Sequence, residues 1–114
     1  MKQKNLFGLV FGITVLLTGS YAFAGGDIAA GKTKSAVCAS CHGTNGISAQ
    51  PNFPILAGQY QDYIVRALID YKTGERENPI MKGFVANLSK QDMEDLAAYF
   101  YSQKGLSAPR IKNP

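Results

Sequence analysis

The chain has 114 residues, of which 46% are hydrophobic and 18% charged, and this composition is that of one globular domain. One histidine and two cysteines exclude a histidine-rich metal centre and cannot by themselves complete a four-ligand zinc site. The formal net charge is +4, but Lys2 and Lys4 lie in a segment that we expect to be removed, so the charge does not argue for nucleic-acid binding.

The first 24 residues have the pattern of an export signal. Two lysines precede an uncharged apolar run over residues 6–17, and residues 22–24 have the small–x–small form that signal peptidase accepts. We therefore expect cleavage after Ala24, a mature domain of residues 25–114 and a periplasmic location. An uncleaved N-terminal anchor is the alternative, although the apolar run is short for a membrane span.

The rest of the chain predicts an all-α fold with three main helices. Apolar periodicity and terminal signals place these helices at residues 28–37, at about 59–72 and from residue 90 towards Gly105. The segments 43–58 and 75–84 are rich in glycine and proline, and they are predicted as loops.

Single residues support these helix boundaries. Asp27 is a candidate N-cap of the first helix, Gly74 a stop for the second, and Ser89 with Asp92 has capping-box spacing at the start of the third. Gly31, inside the first helix, predicts that another helix or a ring packs closely against the backbone there.

The apolar faces of the helices predict the core. On the third helix the apolar face comprises Met93, Leu96, Ala97, Phe100 and Tyr101. The aromatic residues that we also assign to the core are Tyr60, Tyr63, Tyr71 and Phe84.

The residues that carry chemistry are Cys38-Ala39-Ser40-Cys41-His42. Cys-x-x-Cys-His is the haem attachment pattern of c-type cytochromes. One helical turn brings the two thiols to one side, where they can add to the vinyl groups of a haem, and the adjoining histidine can then ligate the iron. A thioredoxin-like redox pair and half of a zinc site are the alternatives, but the sequence shows neither a βαβ pattern nor a second ligand pair. We predict one covalent haem c.

The second axial position of the iron decides what such a haem does. His42 is the only histidine, and Met1 leaves with the signal, so Met81 and Met93 are the candidate ligands. Met93 lies on the apolar face of the third helix, where methionine usually packs. Met81 follows Pro79 in a predicted loop, and a loop methionine held by a preceding proline can direct its side chain across the haem ring.

Three stretches of the sequence resemble class I c-type cytochromes of the small bacterial kind related to cytochromes c4 and c5. They read AGKTKSAVCASCHGTNG, PNFPILAGQYQDYIVRALIDYKTGERENPIM and LSKQDMEDLAAYFYSQ. The resemblance is closest to one half of cytochrome c4, which has two haem domains in tandem, whereas this sequence has one Cys-x-x-Cys-His and one domain. Electron transfer between two haems of one chain is therefore not carried over.

The resemblance implies the cytochrome c fold, with the helices wrapped around one haem. It implies that His42 and Met81 are the axial iron ligands and that the carbonyl of Pro54 orients the ring of His42. A simple turn of the loop is the alternative role of Pro54. The resemblance also implies that Gly31 faces Leu96 and Tyr99 where the first and third helices cross.

An iron with both axial positions filled predicts a soluble carrier of single electrons and not an enzyme. We expect a monomer whose partners are redox proteins, without nucleic acid. One alternative is a haem subunit held permanently by a dehydrogenase or oxidase, with membrane contact only through that complex. The other is a haem sensor or peroxidase, which a distal histidine or arginine would support; no second histidine exists and no arginine flanks Met81. Lys34, Lys72 and Lys82 are candidates for steering a partner.

Overall fold

The computed structural model describes residues 25–105, and every regular element within them is a helix. In chain order the elements are α1 (Ile28–Lys34), a 3₁₀ turn (Ser35–Val37), α2 (Ala39–His42), α3 (Gln61–Thr73), α4 (Pro79–Val85) and α5 (Lys90–Ser102). The prediction of an all-α fold is confirmed. The expected signal peptide, residues 1–24, and the tail, residues 106–114, lie outside the described part of the chain. None of the described helices is both long and apolar enough to cross a membrane.

Helix α1 lies across α5 at Gly31. A Cβ atom at Gly31 would come within 1.9 Å of the carbonyl oxygen of Asp95 and within 2.8 Å of the Cβ of Tyr99. Only glycine lets the two backbones approach this closely. The predicted close contact is confirmed for Tyr99. Leu96 belongs to a buried cluster that includes Ile64 of α3.

A buried carboxylate completes the contact between α1 and α5. Asp95 is 3% exposed and accepts hydrogen bonds from the backbone of Asp27, at 2.8 Å, and from the amide of Gln91, at 2.9 Å. The ammonium of Lys34 donates to Asp95 and pairs with Asp92 at 2.8 Å. Lys34 is the main cause that holds the pKa of both carboxyl groups below the usual value, with Ser89 adding to the effect on Asp92.

We expect Asp95→Asn to lower the free energy of unfolding by about 2 kcal/mol at neutral pH, because the neutral amide replaces a charged acceptor of three donors. The folded-state pKa of Asp95 lies below its ordinary value of 3.8. The stabilisation is therefore complete above that pH and is lost as the pH falls through the folded-state value. Urea unfolding at neutral pH and at about pH 3 should show the deficit of the variant shrinking on acidification.

Asp70→Asn is the matched control for this prediction. It removes an ion pair with Arg66, whose side chain is 74% exposed, so we expect a cost of at most about 0.5 kcal/mol. Equal losses in the two variants, or a deficit of Asp95→Asn that does not depend on pH, would contradict the assignment.

The core lies between α3 and α5. The buried apolar cluster here comprises Ile64, Leu96, Ala97, Tyr99 and Phe100. Met93 is 2% exposed, so its prediction as a core residue is confirmed. Tyr101, at 49% exposed, was wrongly assigned to the core, because α5 buries the sides that face α1 and α3 and not this one. Tyr60 is also exposed, since it is the N-cap of α3 and lies before the helix.

The predicted capping residues of the helices are confirmed. Asp27 caps α1 through the backbone amide of Ala30, and Ser89 with Asp92 forms the reciprocal capping box of α5. Gly74 ends α3 in the left-handed conformation, with φ of +89°.

The prediction of a loop over residues 75–84 is wrong at its C-terminal end, where α4 begins at Pro79. The side-chain oxygen of Asn78 accepts hydrogen bonds from the backbone amides of Ile80 and Met81, each at 3.1 Å. Proline suits the first position of a helix because its missing N–H has no partner there in any case. Met81 therefore stands in the first turn of a helix and not in a loop.

Candidate functional site

A cavity of about 390 Å³ opens between α3, α4 and the segment that connects α2 to α3. Its lining residues are Val37, Cys38, Cys41, His42, Asn52, Phe53, Pro54, Ile55, Leu56, Gln59, Tyr63, Ile64, Ala67, Leu68, Tyr71, Arg76, Asn78, Ile80, Met81, Phe84, Leu96 and Phe100. The five residues that the sequence singled out, Cys38, Cys41, His42, Pro54 and Met81, all lie on its wall.

The two cysteines and the histidine share one helical turn. The amide of Cys38 donates to the carbonyl of Ser35, and the amide of His42 donates to the carbonyl of Cys38, both at 2.9 Å. Both thiols are free and half-buried. Gly43 ends the turn with φ of +82°, where a Cβ would lie 2.2 Å from the carbonyl oxygen of Ile47. The chain can therefore turn away from the helix directly after His42. Both sulfurs and the imidazole then lie on the wall of the same cavity.

The surroundings of the cysteines do not suit a thiol–disulfide redox pair. Burial raises the pKa of the Cys38 thiol, whereas a reactive thiol needs a lowered pKa. The turn follows a helix and a 3₁₀ turn rather than a strand. The thiols are better suited to permanent attachment of a group in the cavity.

The ring of His42 is held in one orientation. It is 6% exposed, and its Nδ1 lies 2.8 Å from the carbonyl oxygen of Pro54. Because a carbonyl can only accept, this bond places the proton on Nδ1 and leaves the lone pair of Nε2 for a metal. The ring of Phe53 stands edge-on to the imidazole, with centroids 6.5 Å apart. The loop is pinned by the amide of Leu56, which donates to the carbonyl of Gly46 at 2.8 Å.

The two candidate methionines lie in different places. Met81 is half-buried on the cavity wall, at the position that the Asn78 cap sets at the start of α4. Met93 is 2% exposed in the core and does not line the cavity. Within residues 25–105, Met81 is therefore the methionine whose thioether is available to a group in the cavity.

Large apolar side chains on the cavity wall are exposed to solvent. Five of the large apolar lining residues are exposed: Val37 by 58%, Ile55 by 40%, Tyr63 by 51%, Ile80 by 63% and Phe84 by 47%. The prediction that Tyr63 and Phe84 belong to the core is wrong, because they line the cavity instead. Apolar walls with two thiols, an imidazole nitrogen and a thioether match the surface and the donors that a covalent haem needs.

Sequence reasoning missed Arg76, which lies on the same wall. Arg76 does not flank Met81 in the sequence; it follows the end of α3 and reaches the cavity through the fold. Its guanidinium lies 4.8 Å from the centroid of the Tyr71 ring and donates to the hydroxyl of Tyr63 at 3.4 Å. Arg76 lies between two helices, outside any periodic apolar pattern, so the sequence contains no signal that would place it at the cavity.

The lysines named as steering candidates lie away from the cavity wall. Lys34 is engaged with two carboxylates at the α1–α5 contact, and Lys72 donates to the carbonyl of Leu88. Lys82, next to Met81 on α4, is exposed. The first two are therefore poorly suited to the steering role.

Comparison with known proteins agrees with this geometry. Residues 28–104 match the family described as Cytochrome c. The chain is 49% identical to cytochrome c4 of Pseudomonas aeruginosa over 102 residues, which is 87% of this chain and 50% of that protein. Cytochrome c-554(548) of Halomonas halodenitrificans is 38% identical over 82 residues, covering 69% of this chain and 99% of that protein.

A solved structure shows the same fold. The crystal structure of reduced recombinant cytochrome c4 from Pseudomonas stutzeri superposes with a TM-score of 0.68 at 48% identity, over 71% of this chain and 47% of that one. The chain thus spans about half the length of the cytochrome c4 relatives that it matches. With the thiols, imidazole and thioether on one apolar cavity, these matches show that the chain belongs to the cytochrome c family, as a class I c-type cytochrome of the cytochrome c4 group with covalent haem c as its cofactor.

Proposed function

We propose that this domain carries single electrons between redox proteins through a haem whose iron is ligated by His42 and Met81. Cys38 and Cys41 form the two thioether bonds, and Pro54 orients His42. The observation that carries the proposal is the meeting of these five side chains on one cavity. The relatives from Pseudomonas aeruginosa and Halomonas halodenitrificans are both named as cytochromes, which supports this role.

The bound haem supplies a one-electron couple between ferric and ferrous iron. The protein residues decide that the iron does no other chemistry. The Nδ1 bond to Pro54 keeps the imidazole aimed and makes Nε2 a better donor. The capped first turn of α4 holds Met81 on the same cavity, and a thioether raises the reduction potential because it favours ferrous iron.

We propose that the protein acts in the periplasm as a monomer, after export and removal of residues 1–24. Redox proteins are its partners, and nucleic acid is not among them. The pattern of the N-terminal segment supports this location.

The test of the carrier function is the visible spectrum of the unmodified haem protein with and without carbon monoxide. We expect a low-spin, six-coordinate spectrum in both oxidation states, and no rapid change when carbon monoxide is added to the reduced protein. A ligand must first leave the iron before carbon monoxide can bind. Rapid binding would contradict the carrier function and favour a sensor or peroxidase.

A further inference from the structure

The cavity contains one fixed positive charge and no negative one. Among its lining residues in the described part of the chain there is no aspartate, glutamate or lysine, and Arg76 is the only arginine. Arg76 itself is exposed, so its guanidinium can pair with an anionic group that reaches the same wall, where no protein carboxylate competes for it. The haem that fills this cavity has two carboxylate side chains, the propionates.

The guanidinium of Arg76 is held in place but not neutralised. It stacks over Tyr71 at 4.8 Å and donates to the hydroxyl of Tyr63 at 3.4 Å. Its neighbours in sequence, Glu75 and Glu77, form no salt bridge with it within residues 25–105. Two aromatic contacts fix the direction of the side chain and leave donors of the planar fork unused.

The backbone at this position is also anchored. The amides of Gly74 and Arg76 both donate to the carbonyl of Asp70 at 3.0 Å, so the turn after α3 is tied to the end of that helix. By contrast, Arg66 of α3 is paired with the carboxylate of Asp70 and does not line the cavity. Within residues 25–105, one arginine is thus paired with a protein carboxylate and the other lies on the cavity wall.

We propose that Arg76 binds a propionate of the haem and that its charge raises the reduction potential. Arginine suits the role because its planar fork can donate two parallel hydrogen bonds to one carboxylate. A fixed positive charge near the haem favours the reduced state, which carries one positive charge less. Tyr63 and Tyr71, which also line the cavity, act as positioning residues because they hold the guanidinium. This inference rests on the proposed function.

The experiment measures the reduction potential of the haem protein against pH for Arg76→Gln, Arg76→Lys and Tyr63→Phe. Arg66→Gln is the matched control, because it removes the same charge from an exposed site outside the cavity. We expect the potential of Arg76→Gln to lie below that of Arg66→Gln. The pH range in which the potential changes should move upwards by about one unit, because the propionate loses its counter-charge.

Two further variants separate charge from packing. Arg76→Lys should recover most of the potential, since it keeps the charge, and Tyr63→Phe should give an intermediate shift. The propionate bending bands in resonance Raman spectra should move in Arg76→Gln and not in Arg66→Gln.

The inference is overturned if Arg76→Gln and Arg66→Gln have the same potential and pH profile. It is also overturned if Arg76→Gln lowers only the melting temperature, because Arg76 would then merely fasten the turn after α3. The carbon monoxide test distinguishes the two proposals. If the unmodified protein binds the gas rapidly, the carrier function is wrong whatever the Arg76 variants show. If it does not, an unchanged reduction potential in Arg76→Gln contradicts this inference and leaves the carrier function intact.

Discussion

Replacing both Cys38 and Cys41 by serine is expected to abolish covalent haem and to remove most of the helical circular dichroism. A serine hydroxyl does not form the thioether bond, and each single variant should keep at most one attachment. The larger effect follows from the size of the core. The main apolar cluster lies between α3 and α5, while α4 contributes Ile80 and Phe84, which remain exposed to the cavity.

Without a group in the cavity, these apolar side chains have nothing to pack against, and a domain this small has little other burial to offset its chain entropy. Binding of the group is therefore coupled to folding, as in small metal-dependent domains. Ser40→Ala is the matched control, because Ser40 lies between the cysteines, is exposed and does not line the cavity.

The measurements are the haem content of the exported protein, by mass and visible absorbance, and its far-ultraviolet circular dichroism. Ser40→Ala should match the unmodified protein in both. A double serine variant with native circular dichroism and no haem would show that the helices fold without the cofactor, and the account of haem as the centre of the core would be wrong.

Replacing Met81 by alanine is expected to open the second axial position of the iron. The variant should bind carbon monoxide when reduced and cyanide when oxidised. Its reduction potential should fall on the order of 0.1 V or more, because axial-ligand identity moves haem potentials over roughly 0.8 V. Stopped-flow spectra and spectroelectrochemistry measure both effects.

Met93→Leu is the control for this prediction, since Met93 lies in the core of α5 and not on the cavity. The substitution nearly conserves volume, so the visible spectrum should stay unchanged and the free energy of unfolding should fall by less than about 1.5 kcal/mol. Spectral change in Met93→Leu with none in Met81→Ala would reverse the assignment of the axial ligand.

The sequence alone could identify whatever depends on short-range spacing. Cys-x-x-Cys-His places two thiols and an imidazole on one turn, because helical geometry brings them together whatever surrounds them. The capping box at Ser89 and Asp92 is likewise local. The start of α4 is local too, because Asn78-Pro79 is a cap-and-proline pattern, but the glycine and proline content of residues 75–84 predicts a loop there.

The tertiary structure decided which side chains meet. Tyr63 and Phe84 are large and apolar like core residues, yet they lie exposed on the cavity wall. The surface that would cover them is that of the cofactor and not that of another protein element. Arg76 reaches that cavity only because the turn after α3 folds back towards Tyr63. Periodicity reports which side of one helix is apolar, but the direction in which a turn carries a charge depends on contacts between segments that are distant in the chain.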